Sequence, residues 1–455
     1  MIQSFWQERR SNKNYLETED KYYVRSNYER DKARVIHSNS FRRLQAKTQL
    51  FNVVDSDISH TRLTHSLEVA QVGTGIVRLL KAKYDPEFRE YYETQTLLGD
   101  CAYQRADKEQ RKFITSYLPP EALIETICLT HDIGHSPFGH SGEYAMNSCM
   151  FQCGGFESNA QTFRLLTHLD NYSPLYGLDL TRRTLLGVVK YPHVFTDNSS
   201  TEENVTLAKN LALQPIKGIY LDDQEAFDWL LQPLSESDRK NFVKVSTVGD
   251  RPKTLYHSFD CSIMELADDI TYVVHDVEDA IILRYITRDD WEEFYEQFSP
   301  QVKQILQNLV TSGYLDPDYV SQMFGRDAYK RRKVFSALVH LFIIHVDVRP
   351  RGVFAEPLLD LQAFLPEDLV VLCKFLKEFS NISIYSQDIR GVNNKGCNMM
   401  LAVFNTIASR PYVLGSAHAK TIESLTTQRA KYRYICDYIA CMTNEQLQTF
   451  YNKYI

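Results

Sequence analysis

The chain has 455 residues, 44% of them apolar and 24% charged, which fits a folded globular protein and excludes a largely disordered one. With 51 Lys and Arg against 58 Asp and Glu, the formal charge of −7 advertises neither nucleic acid nor an anionic membrane as a global partner. No run approaches the roughly 18 apolar residues of a spanning helix. The stretch from Met1 to Asp20 lacks the apolar core of a secretory signal, and nine cysteines without a C-x-x-C fit free thiols in a reducing compartment. A cytoplasmic protein with no membrane partner is the expectation.

In chain order, the first strong periodic stretch is Leu63 to Leu80, with apolar residues spaced at three and four, and it predicts an amphipathic helix with His65 near its head. Tyr84 to Lys112 is charge-dense and reads as a loop or surface insertion. Leu123 to Thr130 predicts a second helix, running into Thr130-His131-Asp132-Ile133-Gly134-His135-Ser136-Pro137-Phe138-Gly139-His140-Ser141-Gly142-Glu143. Three of the 13 histidines fall in that short run, and Gly134 and Pro137 let the backbone leave the helix. An imidazole beside a carboxylate offers one nitrogen and one oxygen ligand to a divalent metal. A helix-end His-Asp pair without such a role is the plainer alternative, and the dipeptide alone does not separate the two.

Leu185 to Val189 continues the helical pattern, and Asp197 to Asn204 and Leu234 to Lys253 read as polar loops. Met264 to Leu283 predicts a long, mostly buried helix. In it Asp268, Tyr272 and Asp276 stand at i, i+4 and i+8, on one stripe, while Asp269 lies about 100° round the axis. Val334 to Ile344 predicts a further helix, and Ser380 to Asn398 another polar excursion. Few stretches alternate as strands, and only 18 glycines and 15 prolines punctuate the chain. An all-α body is expected, as one unit over 1–455 rather than a string of domains. The Cys149/Cys153 and Cys436/Cys441 spacings are not zinc patterns and read as buried thiols, and the pairs Arg182-Arg183 and Arg331-Arg332 are too sparse to establish nucleic-acid binding.

The order H…HD…D resembles the HD-domain metal-dependent phosphohydrolases. Longer blocks narrow the resemblance: ERDKARVIHSNSFRRLQAKTQLF, TRLTHSLEVAQVG, HDIGHSPFGHSGE, GFESNAQTFRLL, LLGVVKYP, ADDITYVVHDVEDA and ICDYIACMT are similar to the deoxyguanosine-triphosphate triphosphohydrolase family, over most of the chain. The resemblance implies an HD-domain helical core at approximately 60–280, with additional helices and loop insertions and a C-terminal helical part at approximately 281–455. It implies four metal ligands at His65, His131, Asp132 and Asp268, the last preferred to Asp269 because Tyr272 and Asp276 share its face. Mixed nitrogen and oxygen ligation without thiolate suits Mn, Mg, Fe, Ni or Zn and does not choose among them.

By the same resemblance, His140 is the catalytic histidine, Glu143 orients it, and His135 is a second candidate around the phosphates. Arg62, Lys190 and Tyr191 would meet the triphosphate, Tyr272 would pack under the deoxyribose, Asp276 would accept from the 3′-hydroxyl, and Gln49 would lie near base or sugar. The implied reaction converts a dNTP and water, with dGTP as one candidate, to deoxynucleoside and tripolyphosphate. The implied partners are the nucleotide and further copies of the chain, in a ring such as a hexamer, and single-stranded DNA stays open. Two positions depart from many relatives. Ser158 stands where FEHNAQ has a histidine, which shifts weight onto His140, and Asn393 replaces an acid, which leaves the base preference open. A phosphohydrolase for other nucleotides, and a nucleotide-sensing or nucleic-acid-binding protein with a degenerate site, are the competing readings.

Overall fold

The structure, a computed structural model, describes residues 4–12, 24–47, 61–84, 107–195, 216–246, 253–384 and 387–455, apart from the side chains of 384–390, 392 and 393. Gln49 and the Asp197 to Asn204 stretch lie outside the described residues, as does the side chain of Asn393. Helices dominate. Among the described residues six short strands make three two-stranded pairings, Val194–Phe195 with Ile219–Tyr220, Val245–Ser246 with Lys253–Thr254, and Asp347–Pro350 with Leu361–Phe364. Among the described residues no helix is long and apolar enough to cross a membrane.

The helices that matter for the site are α1 (Asn27–His37), α2 (Arg62–Tyr84), α3 (Glu121–Thr130), α4 (Gly139–Met150), α5 (Ser158–Arg164), α6 (Arg182–Val188) and α7 (Phe259–Ile282). Beyond them come α8 (Ala328–His345), α9 (Glu367–Ile384), α10 (Gln387–Ser409), α11 (Gln428–Ala440) and α12 (Asn444–Tyr454). Side-chain caps mark the starts of several. Ser26 and Glu29 form a capping box at α1, the Ser258 hydroxyl accepts from Cys261 N at α7, and Thr443 with Gln446 boxes α12. Each cap satisfies amides that the first helical turn leaves without a partner.

The centre of the molecule is the seam of α2, α3 and α7. Val69, Ile76, Leu80, Ile124, Ile127, Ile263, Ile270 and Val274 are all buried there. The three helices approach closely because α2 carries Gly73 at the crossing. A Cβ at that position would lie 2.7 Å from Cys128 Sγ of α3 and 3.6 Å from the Ala267 Cβ of α7. Helix α6 is drawn onto the same seam by Gly187, where a Cβ would come 2.2 Å from Ile127 Cδ1. Its neighbour Arg183 grips Asp260 of α7 through two hydrogen bonds of 2.7 and 2.9 Å. Arg182 is also buried and donates to the Trp229 carbonyl. That pair of arginines ties the fold together and presents no basic surface.

A second cluster of buried side chains joins α4 to the C-terminal helices through Met146, Met150, Met400, Phe404, Ile435 and Ile439. Of the four thiols that the spacing argument expects to be buried, Cys153 and Cys436 are buried in it and Cys149 and Cys441 are half-buried; Cys397 is buried there as well.

Three polar stretches depart from expectation. Lys108 to Lys112 begin a helix, Lys108–Tyr117, capped by the Asp107 carboxylate. Leu234 to Lys253 contains the helix Glu236–Phe242, and Ser380 to Asn398 lies largely in α9 and α10. The reason is the same in the last two. Phe242 in one, and Cys397 with the adjoining Met399 and Met400 in the other, are buried among polar neighbours, so composition masks the apolar positions. Overpacking the central seam should be costly. Gly73→Val is expected to lose about 1–3 kcal/mol in urea denaturation, and an unchanged midpoint would show that the helices can part without penalty.

Candidate active site

His65 stands in the first turn of α2, His131 and Asp132 follow the last turn of α3, and Asp268 projects from α7. The packing at Gly73 therefore brings together residues far apart in sequence. Ligand atoms of His65, His131 and Asp132, all buried, lie within 4.8 Å of one another. Asp268 joins them through Oδ1, 3.1 Å from His65 Nε2 and 3.4 Å from His131 Nε2. Asp269 is exposed and faces Lys377 at 3.4 Å, as its position round the helix requires.

The protonation pattern of His131 shows what this cluster suits. Its Nδ1 lies 2.7 Å from the Cys128 carbonyl oxygen, which can only accept, so Nδ1 carries a proton and, in the neutral ring, Nε2 carries the lone pair. That Nε2 is buried and makes no hydrogen bond. It faces Asp132 Oδ1 at 3.5 Å and Asp268 Oδ1 at 3.4 Å, two further electron-pair donors. Donors turned on one another in a buried place are stable only around a positive centre. Burial opposes protonation of His131, yet Asp132 and Asp268 outweigh it and raise its pKa. The donor set fits a divalent cation.

Two fixed cations already flank the carboxylates. Arg62 Nη1 donates to Asp132 Oδ2 at 2.7 Å, and Lys190 Nζ to Asp268 Oδ2 at 2.9 Å. Burial pushes the Asp132 pKa up, but His135, His131 and Arg62 more than reverse that and hold it well below the usual carboxylate range. Asp268 is held down in the same way, by Lys190 and His131 against burial. Lys190, in turn, is raised by Asp268 and Glu265 although burial lowers it. Both acids are therefore anionic and Lys190 cationic around neutrality.

His135 turns Nδ1 to Asp132 Oδ1 at 3.1 Å, and its pKa is lowered by burial and by Arg62, so it is a neutral ring. His140 is different in character. Its side chain is 75% exposed, and Nδ1 lies 3.1 Å from Glu143 Oε2. Glu143 is pulled down to about 2, with His140 and His135 outweighing its burial. A carboxylate only accepts, so His140 Nδ1 is the donor and Nε2 is left facing outward. The Ser158 N–H holds the other oxygen of Glu143 at 2.7 Å. A serine at this position thus still serves the dyad, through its backbone.

Along α7 the stripe of Asp268, Tyr272 and Asp276 is present. Burial, together with the hydrogen bond that the Tyr272 phenol donates to Asp276, raises the tyrosine pKa. Tyr191 accepts from Lys217 Nζ at 3.0 Å. Lys217 and Lys47 are the residues here that motif reasoning passed over. Lys47 is buried, pushed down to about 8 by burial, and donates to the carbonyls of His135 at 2.5 Å and Ala440 at 2.9 Å. Its place inside the KTQLF block is the one signal that points to it. Lys217 has none, because it is set beside Tyr191 only by the pairing of Val194–Phe195 with Ile219–Tyr220.

An all-α body with paired histidines and aspartates at the junction of three helices defines a phosphohydrolase of the HD class, and residues 363–453 match the family described as the phosphohydrolase-associated domain. The chain belongs, more narrowly, to the deoxyguanosinetriphosphate triphosphohydrolase-like family. It is 41% identical over 431 residues to the deoxyguanosinetriphosphate triphosphohydrolase-like protein of Histophilus somni strain 129Pt, covering 92% of each chain. It is 38% identical over 458 residues to that of Shewanella woodyi, covering 98% of this chain and 95% of the other. The Haemophilus influenzae PittEE protein of the same description is 39% identical over 442 residues, 94% of this chain and 92% of that one. That class works with a divalent metal, and His65, His131 and Asp132 could hold one.

If the cluster is the metal centre, His131→Ala loses stoichiometric Mn²⁺ binding in calorimetry while its helical circular dichroism persists. Unaltered binding would place the ion elsewhere.

Proposed function

We propose that the protein is a metal-dependent deoxynucleoside triphosphate triphosphohydrolase, with His65, His131, Asp132 and Asp268 as the ligands of a divalent cation. The observation that carries this reading is the charge balance of the cluster. Asp132 and Asp268 are already neutralised by Arg62 and Lys190, at 2.7 and 2.9 Å. A divalent cation therefore leaves two positive charges in excess at the site, which favours a polyanion over a neutral or singly charged substrate. When bound, the cation supplies Lewis acidity at a phosphate oxygen.

The chain's own groups do the rest. Arg62 keeps its buried Nε without a hydrogen bond, so it has a donor to spare for phosphate beyond its pairing with Asp132. Lys190 and Tyr191, with Lys217 behind the tyrosine hydroxyl, extend the positive and hydrogen-bonding lining. His140, held through Nδ1 by Glu143, has Nε2 for moving the proton between water and the departing O5′, and the neutral His135 stands beside it, ring centroids 6.1 Å apart. Tyr272 and Asp276 lie one and two turns along α7 from Asp268, at the reach of a sugar whose phosphate is at the metal. Asp276 takes the 3′-hydroxyl and Tyr272 closes the space a 2′-hydroxyl would need. Homo-oligomeric assembly and a cytoplasmic setting belong to the same reading, on resemblance alone.

Incubation of the protein with each dNTP and Mn²⁺ or Mg²⁺ is expected to release tripolyphosphate and deoxynucleoside, and chelation with EDTA to stop it. Orthophosphate or pyrophosphate as the product would point to a phosphohydrolase acting on other bonds, and binding without turnover to a nucleotide sensor. A 2′,3′-dideoxynucleotide should be cleaved more slowly than its 3′-hydroxyl counterpart by the native chain. Asp276→Ala should narrow that gap by roughly tenfold or more, because the buried acceptor no longer discriminates. An unchanged ratio would remove Asp276 from the sugar site.

A further inference from the structure

His140 lies two residues beyond Phe138, and Phe138 has φ 61°, in the left-handed region, at the start of α4. An aromatic L-residue in that conformation is strained, and such strain persists only where surroundings over-determine it. Here the surroundings come from the C-terminal helices. The Phe138 N–H donates to Asn444 Oδ1 at 3.1 Å. The Phe138 ring lies against Gly396 of α10, where a Cβ would come within 2.6 Å of the ring's Cγ. Asn444 opens α12, whose start is itself fixed by the Thr443 and Gln446 capping box. Lys47 adds a second tie from the same side, bridging the His135 carbonyl to that of Ala440 at the end of α11. On the opposite side the turn is packed against α4, since a Cβ on Gly142 would lie 1.9 Å from the Pro137 carbonyl oxygen.

We propose that Asn444 is a positioning residue for His140: it holds the left-handed turn at Phe138, over Gly396, and so sets the direction of the imidazole without touching a reacting atom. The inference rests on the reading of His140 as the group that moves a proton on the nucleotide. It gives the C-terminal region a task in the chemistry of a site whose side chains all come from elsewhere.

Three variants test it, with hydrogen–deuterium exchange as a readout that needs no substrate. Asn444→Ala removes the acceptor. It is expected to lower kcat for dNTP hydrolysis by roughly 10- to 100-fold with KM within about twofold, because misplacement of a proton-transfer group costs turnover and not ground-state binding. Peptides covering 134–142 should exchange faster in this variant, while Mn²⁺ affinity and thermal midpoint stay at native values. Asn444→Asp keeps an acceptor oxygen and suits the first turn of a helix, so it should retain most of the native kcat and slow exchange. Gly396→Ala improves the intrinsic helix propensity of α10 but intrudes on the Phe138 ring, so it should lower kcat and speed exchange over 134–142 as Asn444→Ala does, with some loss of thermal midpoint from the overpacking. Native kcat and native exchange in Asn444→Ala would overturn the proposal. So would an Asn444→Asp variant as impaired as Asn444→Ala. Should the native chain hydrolyse no dNTP, the functional reading fails, and the exchange comparison still decides whether Asn444 holds the turn.

Discussion

Four electron-pair donors turned on one another in a buried place are the constraint on which this molecule depends. Two imidazoles and two carboxylates converge from three helices. Without positive charge such a group repels itself and pays heavily for leaving water. The chain meets part of that demand with Arg62 and Lys190, each placed on the outer oxygen of one carboxylate. The inner oxygens and the His131 Nε2 lone pair keep facing the centre. The fixed cations make the acids safe to bury while leaving the middle of the cluster to an ion.

The helix packing follows from the same demand. Donor atoms a few ångströms apart need helix axes closer than ordinary side chains allow, and Gly73 and Gly187 remove the side chains at the two crossings. Arg183 and Asp260 then lock α6 to α7, which brings Lys190, two residues past the end of α6, to Asp268. Further out the C-terminal helices pack on α4 through a separate apolar cluster and fasten the turn that leads to His140. The buried His/Asp cluster and the His140–Glu143 pair are thus held by different parts of the chain, the first by the central seam and the second by α4 with its C-terminal cover.

Much of the site is legible in the amino-acid sequence. The HD dipeptide at a helix end, a histidine at the head of another helix, and an acid, a tyrosine and an acid one turn apart are local patterns. Each follows from helical periodicity, which also separates Asp268 from the exposed Asp269. Less legible are the partners. Arg62 reads in sequence as a phosphate contact, yet its Nη1 is occupied by Asp132. The Arg182-Arg183 pair reads in sequence only as too sparse to establish nucleic-acid binding, and its burial shows in the packed structure. Lys47 and Lys217 act through contacts with residues 88 and 26 positions away, beyond the reach of any motif. The polar run from Ser380 to Asn398 hides parts of two helices because its polar composition outweighs buried residues such as Cys397.

The all-α character, the chemical types of the donors and the stripe on α7 all follow from residue order, because they depend on spacing along one helix. Three things emerge only when the helices are packed together: which oxygen meets which cation, which nitrogen of His131 and of His140 meets its acceptor, and that the C-terminal helices reach the turn before His140. Those are distances between segments far apart in the chain. They are set by how closely helices pack, and that closeness depends on side chains absent at Gly73, Gly187 and Gly396 as much as on those present.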